Sequence, residues 1–162
     1  MIRAGVITIS DKGSRRERED ISGIEIQQLL KNLSITISAY DIIPDEQDII
    51  QTTLIDYSDI RNIDLIITTG GTGVSPRDVT PEATLNVIEK EIPGMAEAMR
   101  RESSAKTPHG MISRAVVGIR KQSLIINLPG SPRGARENLS VLLPALRHAI
   151  EKIKGDKSDC AV

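Results

Sequence analysis

Short apolar runs rich in β-branched residues alternate along this chain with segments whose apolar side chains recur at helical spacing. Ile2–Ile9 and Ile35–Ile43 have the length and composition of strands, and the segment between them, from Ser22, has the periodicity of a helix. Strands that alternate with helices pair in parallel and are covered on both faces, so the sequence predicts an α/β fold, a three-layer α/β/α sandwich around a mostly parallel central sheet. The later predicted elements are a helix over Asp45–Tyr57, a strand over Ile63–Thr68, helices from about Thr80 and over Pro93–Ser103, strands over Ala115–Ile119 and Ser123–Leu128, and a helix over Ser131–Lys154.

The length of 162 residues suits a single compact domain. We expect this domain to span residues 1–154 and to be followed by a polar C-terminal tail, residues 155–162. Pro144 is expected to kink or interrupt the last helix. Cys160, the single cysteine, lies in the tail, so the sequence has neither a disulfide framework nor a zinc-binding thiolate cluster. This favours a reducing, cytoplasmic location.

The charge and aromatic content argue against a nucleic-acid partner. The chain has 21 basic and 22 acidic residues, and Tyr40 and Tyr57 are its only aromatic side chains. It therefore offers no basic surface for a polyanion and few rings on which bases could stack. No apolar run approaches the roughly 18 residues of a membrane span, and the first ten residues lack the features of a signal peptide. We expect no membrane association.

Four loops follow predicted strands directly and have the composition of ligand-binding turns. Their sequences are ISDKGS, IPDEQ, TGGTG and LPGSP. In a parallel sheet the carboxyl ends of the strands lie at one edge, and ligands bind in the crevice outside that edge. The four loops are therefore predicted to face a common crevice.

The TGGTG turn is suited to binding an anion. Gly70, Gly71 and Gly73 permit positive φ and lack Cβ atoms, so backbone N–H groups can converge on a phosphate. A glycine turn after a strand is also commonly just a tight turn. The pattern matches neither the G-x-x-x-x-G-K-[ST] nor the G-x-G-x-x-G nucleotide fingerprint, so the turn alone leaves both interpretations open.

Two helix starts follow the glycine-containing loops. Thr80 is predicted as an N-cap, with Pro81 at the first helical position and Glu82 in the first turn. Ser131 and Pro132 repeat the same pattern. Two glycine-containing turns that lead into two helices at one edge of the sheet suggest sites for two phosphate-like groups.

Three acids lie in the same loops, namely Asp11, Asp45 and Asp78. Carboxylates beside phosphates repel unless a hard cation lies between them, and Mg²⁺ is commonly held by one or two carboxylates together with substrate phosphates. Each acid also has a purely structural alternative. Asp45 follows Pro44 and could be an N-cap, and Asp11 could simply shape its turn, whereas Asp78 has no obvious capping role.

The combination of four motifs resembles the molybdopterin-binding MogA/MoaB family, which includes domains of plant and animal molybdenum cofactor synthesis proteins. The motifs are TTGGTGVSPRDVTPEAT (Thr68–Thr84), IPDEQ (Ile43–Gln47), PGMAEAMR (Pro93–Arg100) and LPGSPRG (Leu128–Gly134). The resemblance extends from Ile2 to about Gly155. It implies an α/β/α fold, a homotrimer or a hexamer, and Mg²⁺-dependent transfer of AMP from ATP to molybdopterin with release of pyrophosphate. It also implies other molybdenum cofactor biosynthesis proteins as partners.

The resemblance also implies roles for individual residues. Asp45 and Asp78 match acids implicated in activity, and we predict that they hold the metal or set the geometry rather than accept a proton, because the pterin phosphate is already an anion. The predicted residues for binding ATP and molybdopterin are Ser10, Asp11, Gly70, Gly71, Thr72, Gly73, Thr80, Glu82, Pro129, Gly130 and Ser131.

Two other functions remain compatible with the sequence. The first is a molybdopterin-binding protein of the same pathway with little catalysis, and the second is a hydrolase of nucleotide pyrophosphates on the same fold. Both acids favour catalysis over passive binding, and the PGMAEAMR motif favours the molybdopterin branch. Arg77, Arg133 and Lys121 could contact phosphates or be solvated surface charges.

Overall fold

A computed structural model describes residues 1–157, and its centre is a six-stranded sheet in the order β2-β1-β3-β6-β5-β4. The first four strands of this order pair in parallel, and β5 runs antiparallel to both of its neighbours. The predicted mostly parallel sheet is therefore confirmed. Cys160 lies outside the described residues. The strands are β1 (Arg3–Ile9), β2 (Thr36–Ile43), β3 (Leu65–Thr69), β4 (Lys90–Glu91), β5 (Val117–Arg120) and β6 (Ser123–Leu128).

Helices cover both faces of the sheet, as the alternation of patterns predicted. A π-helical turn, Asp56–Ile60, follows α3, and a 3-10 turn, Pro108–Ile112, follows α5. A search of residues 1–157 finds no helix with the length and apolarity needed to cross a membrane. The helices are α1 (Asp11–Ser14), α2 (Ile21–Asn32), α3 (Gln47–Ile55), α4 (Thr80–Val87), α5 (Pro93–Lys106) and α6 (Pro132–Ile153).

Several details differ from the sequence-based prediction, among them the four-residue helix α1, which was not predicted. The two-residue edge strand β4 was missed because it is too short to show any periodicity. The last helix, α6, has 22 residues and continues through Pro144 without interruption. Proline removes one helical hydrogen bond, and here Leu142 and Leu146, both buried on either side of it, keep the helix packed against the sheet.

Alternate residues of each central strand pack into two separate cores. On β3, Leu65 and Ile67 belong to a cluster with α2, α5 and α6, whereas Ile66 faces a cluster with α3, α4 and Tyr57. This follows from the two-residue side-chain period of a strand. With both faces covered, the edge formed by the carboxyl ends of the parallel strands is left for a ligand site.

Asn127 links the sheet to α4 through a buried polar network. Its Oδ1 accepts the N–H of Val116 at 3.1 Å, and its Nδ2 donates to the hydroxyls of Thr68 at 3.0 Å and Thr84 at 2.9 Å. Replacing Asn127 by Leu would leave these buried groups without their partner. We expect the free energy of unfolding, measured by urea titration, to fall by about 3 kcal/mol.

The matched control is Asn86→Leu, because Asn86 is exposed on α4. This variant should unfold within about 0.5 kcal/mol of the unaltered protein. Equal losses in the two variants would contradict a structural role for the Asn127 network.

Candidate functional site

Backbone and side-chain hydrogen bonds hold the four predicted loops together at the carboxyl edge of the parallel strands. The N–H of Ser10 donates to the carbonyl of Ile43 at 2.9 Å, and the N–H of Gly70 donates to the carbonyl of Leu128 at 3.1 Å. The hydroxyl of Thr69 donates to the carbonyl of Pro129 at 2.7 Å. The prediction that these loops share one crevice is confirmed.

Two adjoining cavities open at this edge, and Gly71, Gly130 and Ser131 line both of them. The first cavity, of about 380 Å³, lies between the loops that follow β1, β2, β3 and β6. The second, of about 390 Å³, extends from the glycine turn toward the 3-10 turn. The first is also lined by residues including Ser10, Arg18, Asp20, Ser22 and Asp45, and the second by residues including Thr72, Gly73, Asp78, Thr107, His109 and Pro129.

The glycine turn has a backbone that only glycine adopts readily. Gly70 and Gly71 have φ of +106° and +65°. A Cβ on Gly70 would lie 2.2 Å from the carbonyl oxygen of Ile9, and one on Gly71 would lie 2.4 Å from Oγ1 of Thr80. Within residues 1–157, no acceptor hydrogen-bonds to the backbone N–H groups of the four consecutive residues 71–74. A run of free N–H groups of this kind suits an anion.

Thr80 is not the N-cap that the sequence pattern predicted. The structure assigns Thr80 to the first turn of α4 and Val79 to the cap position, with no side-chain capping bond. The buried Thr80 hydroxyl instead donates to the carbonyl of Gly70 at 2.9 Å, and the Thr80 N–H donates to the carbonyl of Gly71 at 3.1 Å. Thr80 therefore fixes the glycine turn. The predicted N-cap at Ser131 is confirmed, because its hydroxyl accepts the N–H of Gly134 at 3.1 Å.

Asp45 and Asp11 bind each other's backbone. The N–H of Asp11 donates to Oδ2 of Asp45 at 2.9 Å, and the N–H of Asp45 donates to Oδ1 of Asp11 at 3.1 Å. The alternative of Asp45 as an N-cap is wrong, since the cap position of α3 is Glu46. Burial raises the pKa of Asp45, and the negative charges of Asp11 and Asp78 add to the increase.

Arg77, in the segment that follows the glycine turn, neutralises Asp11. Its guanidinium donates to both carboxylate oxygens of Asp11, at 2.9 and 3.1 Å, and to Glu46 at 2.8 Å. The hydrogen bonds from Arg77 hold the pKa of Asp11 below its ordinary value. Asp11 thus does more than shape its turn, because it joins the first loop to the segment that carries Arg77.

Asp78 lies at the end of the segment that follows the glycine turn, and it lines the second cavity. Its Oδ2 accepts the N–H of Ser75 at 2.8 Å, a turn-stabilising role that the sequence pattern did not show. A Cβ on Gly73 would lie 2.9 Å from the same oxygen, so this carboxylate lies directly over the glycine turn. The negative charge of Asp78 contributes to the raised pKa of Asp45.

The described residues contain no group of three or more His, Cys, Asp or Glu side chains placed to hold a metal ion by themselves. Asp45 and Asp78 line adjoining cavities, and Mg²⁺ can be held by one or two carboxylates when water and substrate phosphates complete its shell. Burial is the largest cause of the raised pKa of Asp45 and the charges of Asp11 and Asp78 add to it, so a cation beside Asp45 would favour its charged form.

Most of the predicted binding residues line the two cavities, and three do not. Asp11, Thr80 and Glu82 lie behind the lining and contact other loop residues instead. Their predicted contacts with substrate stay predictions. The predicted residues that do line a cavity are Ser10, Asp45, Gly70, Gly71, Thr72, Gly73, Asp78, Pro129, Gly130 and Ser131.

Sequence analysis missed Arg114 and Asp20. Arg114 bonds to the glycine-turn segment, and Asp20 accepts hydrogen bonds from the hydroxyls of Thr8 and Tyr40 in the wall of the first cavity. No local signal marks Arg114, whereas Asp20 directly precedes a helix and could have been identified as an N-cap.

All three basic residues with open roles form ion pairs, and those of Arg133 and Lys121 lie outside the two cavities. Arg133 is 75% exposed and pairs with Glu137. Lys121 lies in the turn between β5 and β6 and pairs with Asp59. This turn is at the amino end of β6, whereas the crevice is at the carboxyl end of that strand.

Together, the fold and the site define a class: α/β/α domains whose glycine loops present free N–H groups at the carboxyl edge of a mostly parallel sheet. Within this class, the chain belongs to the family described as probable molybdopterin binding domain, whose model matches residues 5–148. The resemblance to the MogA/MoaB family seen in the sequence is thereby confirmed.

Characterised relatives and solved structures agree with this assignment. The chain is 43% identical over 157 residues to a molybdopterin adenylyltransferase of Helicobacter pylori strain J99, covering 96% of this chain and 89% of the relative. It is 40% identical to the Drosophila melanogaster molybdenum cofactor synthesis protein cinnamon, covering 97% of this chain and 26% of that protein. The crystal structure of the molybdopterin biosynthesis enzyme MoaB from Thermus thermophilus superposes with a TM-score of 0.91 at 46% identity, covering 96% and 98% of the two chains.

Proposed function

We propose that the protein is a molybdopterin adenylyltransferase of molybdenum cofactor biosynthesis, which transfers AMP from ATP to the terminal phosphate of molybdopterin. The observation that carries this proposal is the pair of cavities with a common wall at Gly71, Gly130 and Ser131. Two phosphate-bearing substrates bound on either side of that wall would meet over free backbone N–H groups. The relatives named as molybdopterin adenylyltransferases match nearly the whole chain, which supports the same reaction.

The proposed reaction is an in-line displacement at the α-phosphorus of ATP. An oxygen of the pterin phosphate forms the new P–O bond, and the bond from the α-phosphorus to the bridging oxygen breaks, so pyrophosphate leaves with the electron pair. The attacking oxygen is already anionic and needs no general base. The protein's contribution is therefore to align the two phosphates and to stabilise the charge between them, which the N–H groups of residues 71–74 are placed to do.

Mg²⁺ is the cation we propose for this site, with Asp45 and Asp78 as the residues that would hold it. When bound, it would neutralise charge on the polyphosphate and on the leaving pyrophosphate. Asp11 is already neutralised by Arg77 and is the less suitable ligand. The carboxylates of Asp45 and Asp78 would thus act by position and charge, without taking up a proton.

The direct test is to incubate the purified protein with molybdopterin, ATP and Mg²⁺ and to analyse the products by mass spectrometry. We expect adenylated molybdopterin and stoichiometric pyrophosphate. Tight retention of molybdopterin without any product would overturn the enzyme proposal in favour of a binding protein. Release of pyrophosphate or AMP without adenylated pterin would favour a hydrolase. Omitting Mg²⁺, or replacing it with Ca²⁺, tests the cation separately.

Asp78→Asn should slow adenylyl transfer while the protein stays folded. The asparagine Oδ1 can still accept the N–H of Ser75, so the turn is retained, but the negative charge over the glycine turn is lost. We expect kcat/KM to fall on the order of 100-fold, with an unchanged circular dichroism spectrum and melting temperature. Full activity in this variant would remove Asp78 from the proposed site.

The assembly and cellular setting belong to the same proposal. We propose a homotrimer or a hexamer that acts in the cytoplasm beside other molybdenum cofactor biosynthesis proteins. Light scattering coupled to size exclusion would measure the subunit number directly, and a monomer at micromolar concentration would contradict it.

A further inference from the structure

Arg114 lies between the 3-10 turn and β5, and it contacts the glycine-turn segment at three points and α4 at a fourth. Its backbone N–H donates to the carbonyl of Thr72 at 2.9 Å. Its guanidinium donates to the carbonyls of Gly73 at 2.6 Å and Asp78 at 2.7 Å. The remaining guanidinium nitrogen pairs with the carboxylate of Glu82 on α4. One residue thus binds both ends of the segment from residue 72 to residue 78.

These contacts determine which way the peptide groups of the turn face. In a trans peptide the N–H points opposite to the C=O of the same unit. Because the carbonyls of Thr72 and Gly73 are directed at Arg114, the N–H groups of Gly73 and Val74 are directed away from it. Those N–H groups are among the four consecutive groups that have no acceptor within residues 1–157. Without Arg114, either carbonyl could rotate toward the cavity and repel an anion there.

We propose that Arg114 is a positioning residue that holds the turn at residues 71–74 in its anion-accepting orientation, for the polyphosphate of a nucleotide. The inference rests on the proposed function and adds to it a residue that contacts the loop and does not line either cavity. Thr80 fixes the start of the same turn through the carbonyl of Gly70, and Arg114 fixes its end.

Glu82 has a supporting role in this arrangement. Burial raises the pKa of Glu82 and is the largest single influence on it, but the hydrogen bond from Arg114, the residue's own backbone N–H and the positive charge of Arg114 together outweigh burial, so the net shift is downward. The carboxylate is therefore charged and orients the guanidinium toward the two carbonyls. Glu82, predicted from the sequence as a substrate-binding residue, is assigned here as the partner that orients Arg114.

The test compares Arg114→Ala, Arg114→Lys and Glu82→Gln with a matched control, Arg120→Ala. Arg120 is also a half-buried arginine with several partners, since it donates to both carboxylate oxygens of Asp59 and to the carbonyl of Val87. Unlike Arg114, it lies at the end of β5 that is remote from the glycine turn. Each variant is assayed for adenylyl transfer at a temperature well below its own melting point. The affinity for inorganic pyrophosphate with Mg²⁺ is measured by calorimetry.

We expect Arg114→Ala to lose roughly 10- to 100-fold in kcat/KM for ATP, with pyrophosphate affinity reduced in parallel. Arg114→Lys should recover only part of this, because one ammonium cannot serve two carbonyls and a carboxylate in the geometry of a guanidinium. Glu82→Gln should lose less than Arg114→Ala, because the carbonyl contacts remain. Arg120→Ala should lower the melting temperature and leave kcat/KM unchanged.

The inference is overturned if Arg114→Ala changes only the melting temperature, as expected for Arg120→Ala, or if Glu82→Gln loses as much as Arg114→Ala. The pyrophosphate measurement separates this inference from the proposed function. If the unaltered protein makes no adenylated pterin, the proposed function fails, and weaker pyrophosphate binding by Arg114→Ala would still support the positioning role. If the unaltered protein does not bind pyrophosphate either, the positioning role fails as well.

Discussion

Gly71→Ala is expected to reduce adenylyl transfer by a factor on the order of 1000. Gly71 has φ of +65°, and its new Cβ would lie 2.4 Å from Oγ1 of Thr80 and 3.1 Å from Oδ1 of Asp45. Thr80 is fully buried and cannot move aside without releasing the carbonyl of Gly70. The turn itself must shift, and with it the free N–H groups in the wall that both cavities share.

In Gly71→Ala, the decrease in the free energy of unfolding should be much smaller than the increase in the activation free energy of adenylyl transfer. A non-glycine residue in the left-handed region costs about 1–2 kcal/mol, and local movement of the turn relieves part of the clash. We expect Gly71→Ala to remain folded at 25 °C by circular dichroism, with a lower melting temperature, while the mass-spectrometric assay detects almost no adenylated pterin.

Gly94→Ala provides the matched control. Gly94 lies in the first turn of α5, and a Cβ there would have no atom within 4 Å. Alanine is the better helix former, so this variant should be as stable as the unaltered protein or more stable by about 0.5 kcal/mol, with full activity. If Gly71→Ala behaved like Gly94→Ala, the glycine turn would not be the centre of the site.

The parts of the site that sequence analysis located correctly are those specified by a few neighbouring residues. The glycine turn follows an apolar strand directly, and Ser131 with Pro132 forms a capping signature within a single helical turn. The order of strands and helices then placed both loops at the same edge, because the carboxyl ends of parallel strands must lie together. No distant contact was needed for either inference.

The residues that were wrongly assigned or missed are those whose partners lie far along the chain. Thr80 has the local pattern of an N-cap, but its hydroxyl bonds to a carbonyl ten residues earlier, which the turn brings within reach. Arg114 meets acceptors 32 to 41 residues away. The Asp11–Asp45 contact depends on strand register, since the pairing of Ile9 with Ile43 places each aspartate two residues beyond paired positions. Periodicity alone does not specify that register.

Asp45→Asn is expected to reduce adenylyl transfer by a factor of roughly 100 to 1000 without destabilising the protein. The asparagine Oδ1 can still accept the N–H of Asp11, so the link between the first two loops remains. The variant lacks the negative charge of Asp45, which partial burial and the neighbouring charges of Asp11 and Asp78 make unfavourable. At pH 7 its melting temperature should therefore equal or exceed that of the unaltered protein, as is common where a site sacrifices stability for function.

The pH dependence of this stability difference tests its cause. The pKa of Asp45 in the folded protein lies above its ordinary value of 3.8, so ionisation of Asp45 opposes folding. That cost is fully present at pH values above the raised pKa, shrinks as pH falls through it, and is absent below 3.8. The excess melting temperature of Asp45→Asn should follow the same course, from its full value at pH 7 to zero in acid.

Mg²⁺ and ATP should reverse the order of stability of the two proteins at pH 7. A cation between Asp45 and the substrate phosphates would offset the cost of a charged carboxylate in this partly buried position, so the unaltered protein should gain more in melting temperature on adding both ligands than Asp45→Asn does. Equal gains would mean that Asp45 does not meet the cation. In that case the role of Asp45 would be confined to joining the first two loops, and Asp78 would be left as the one carboxylate at the proposed metal position.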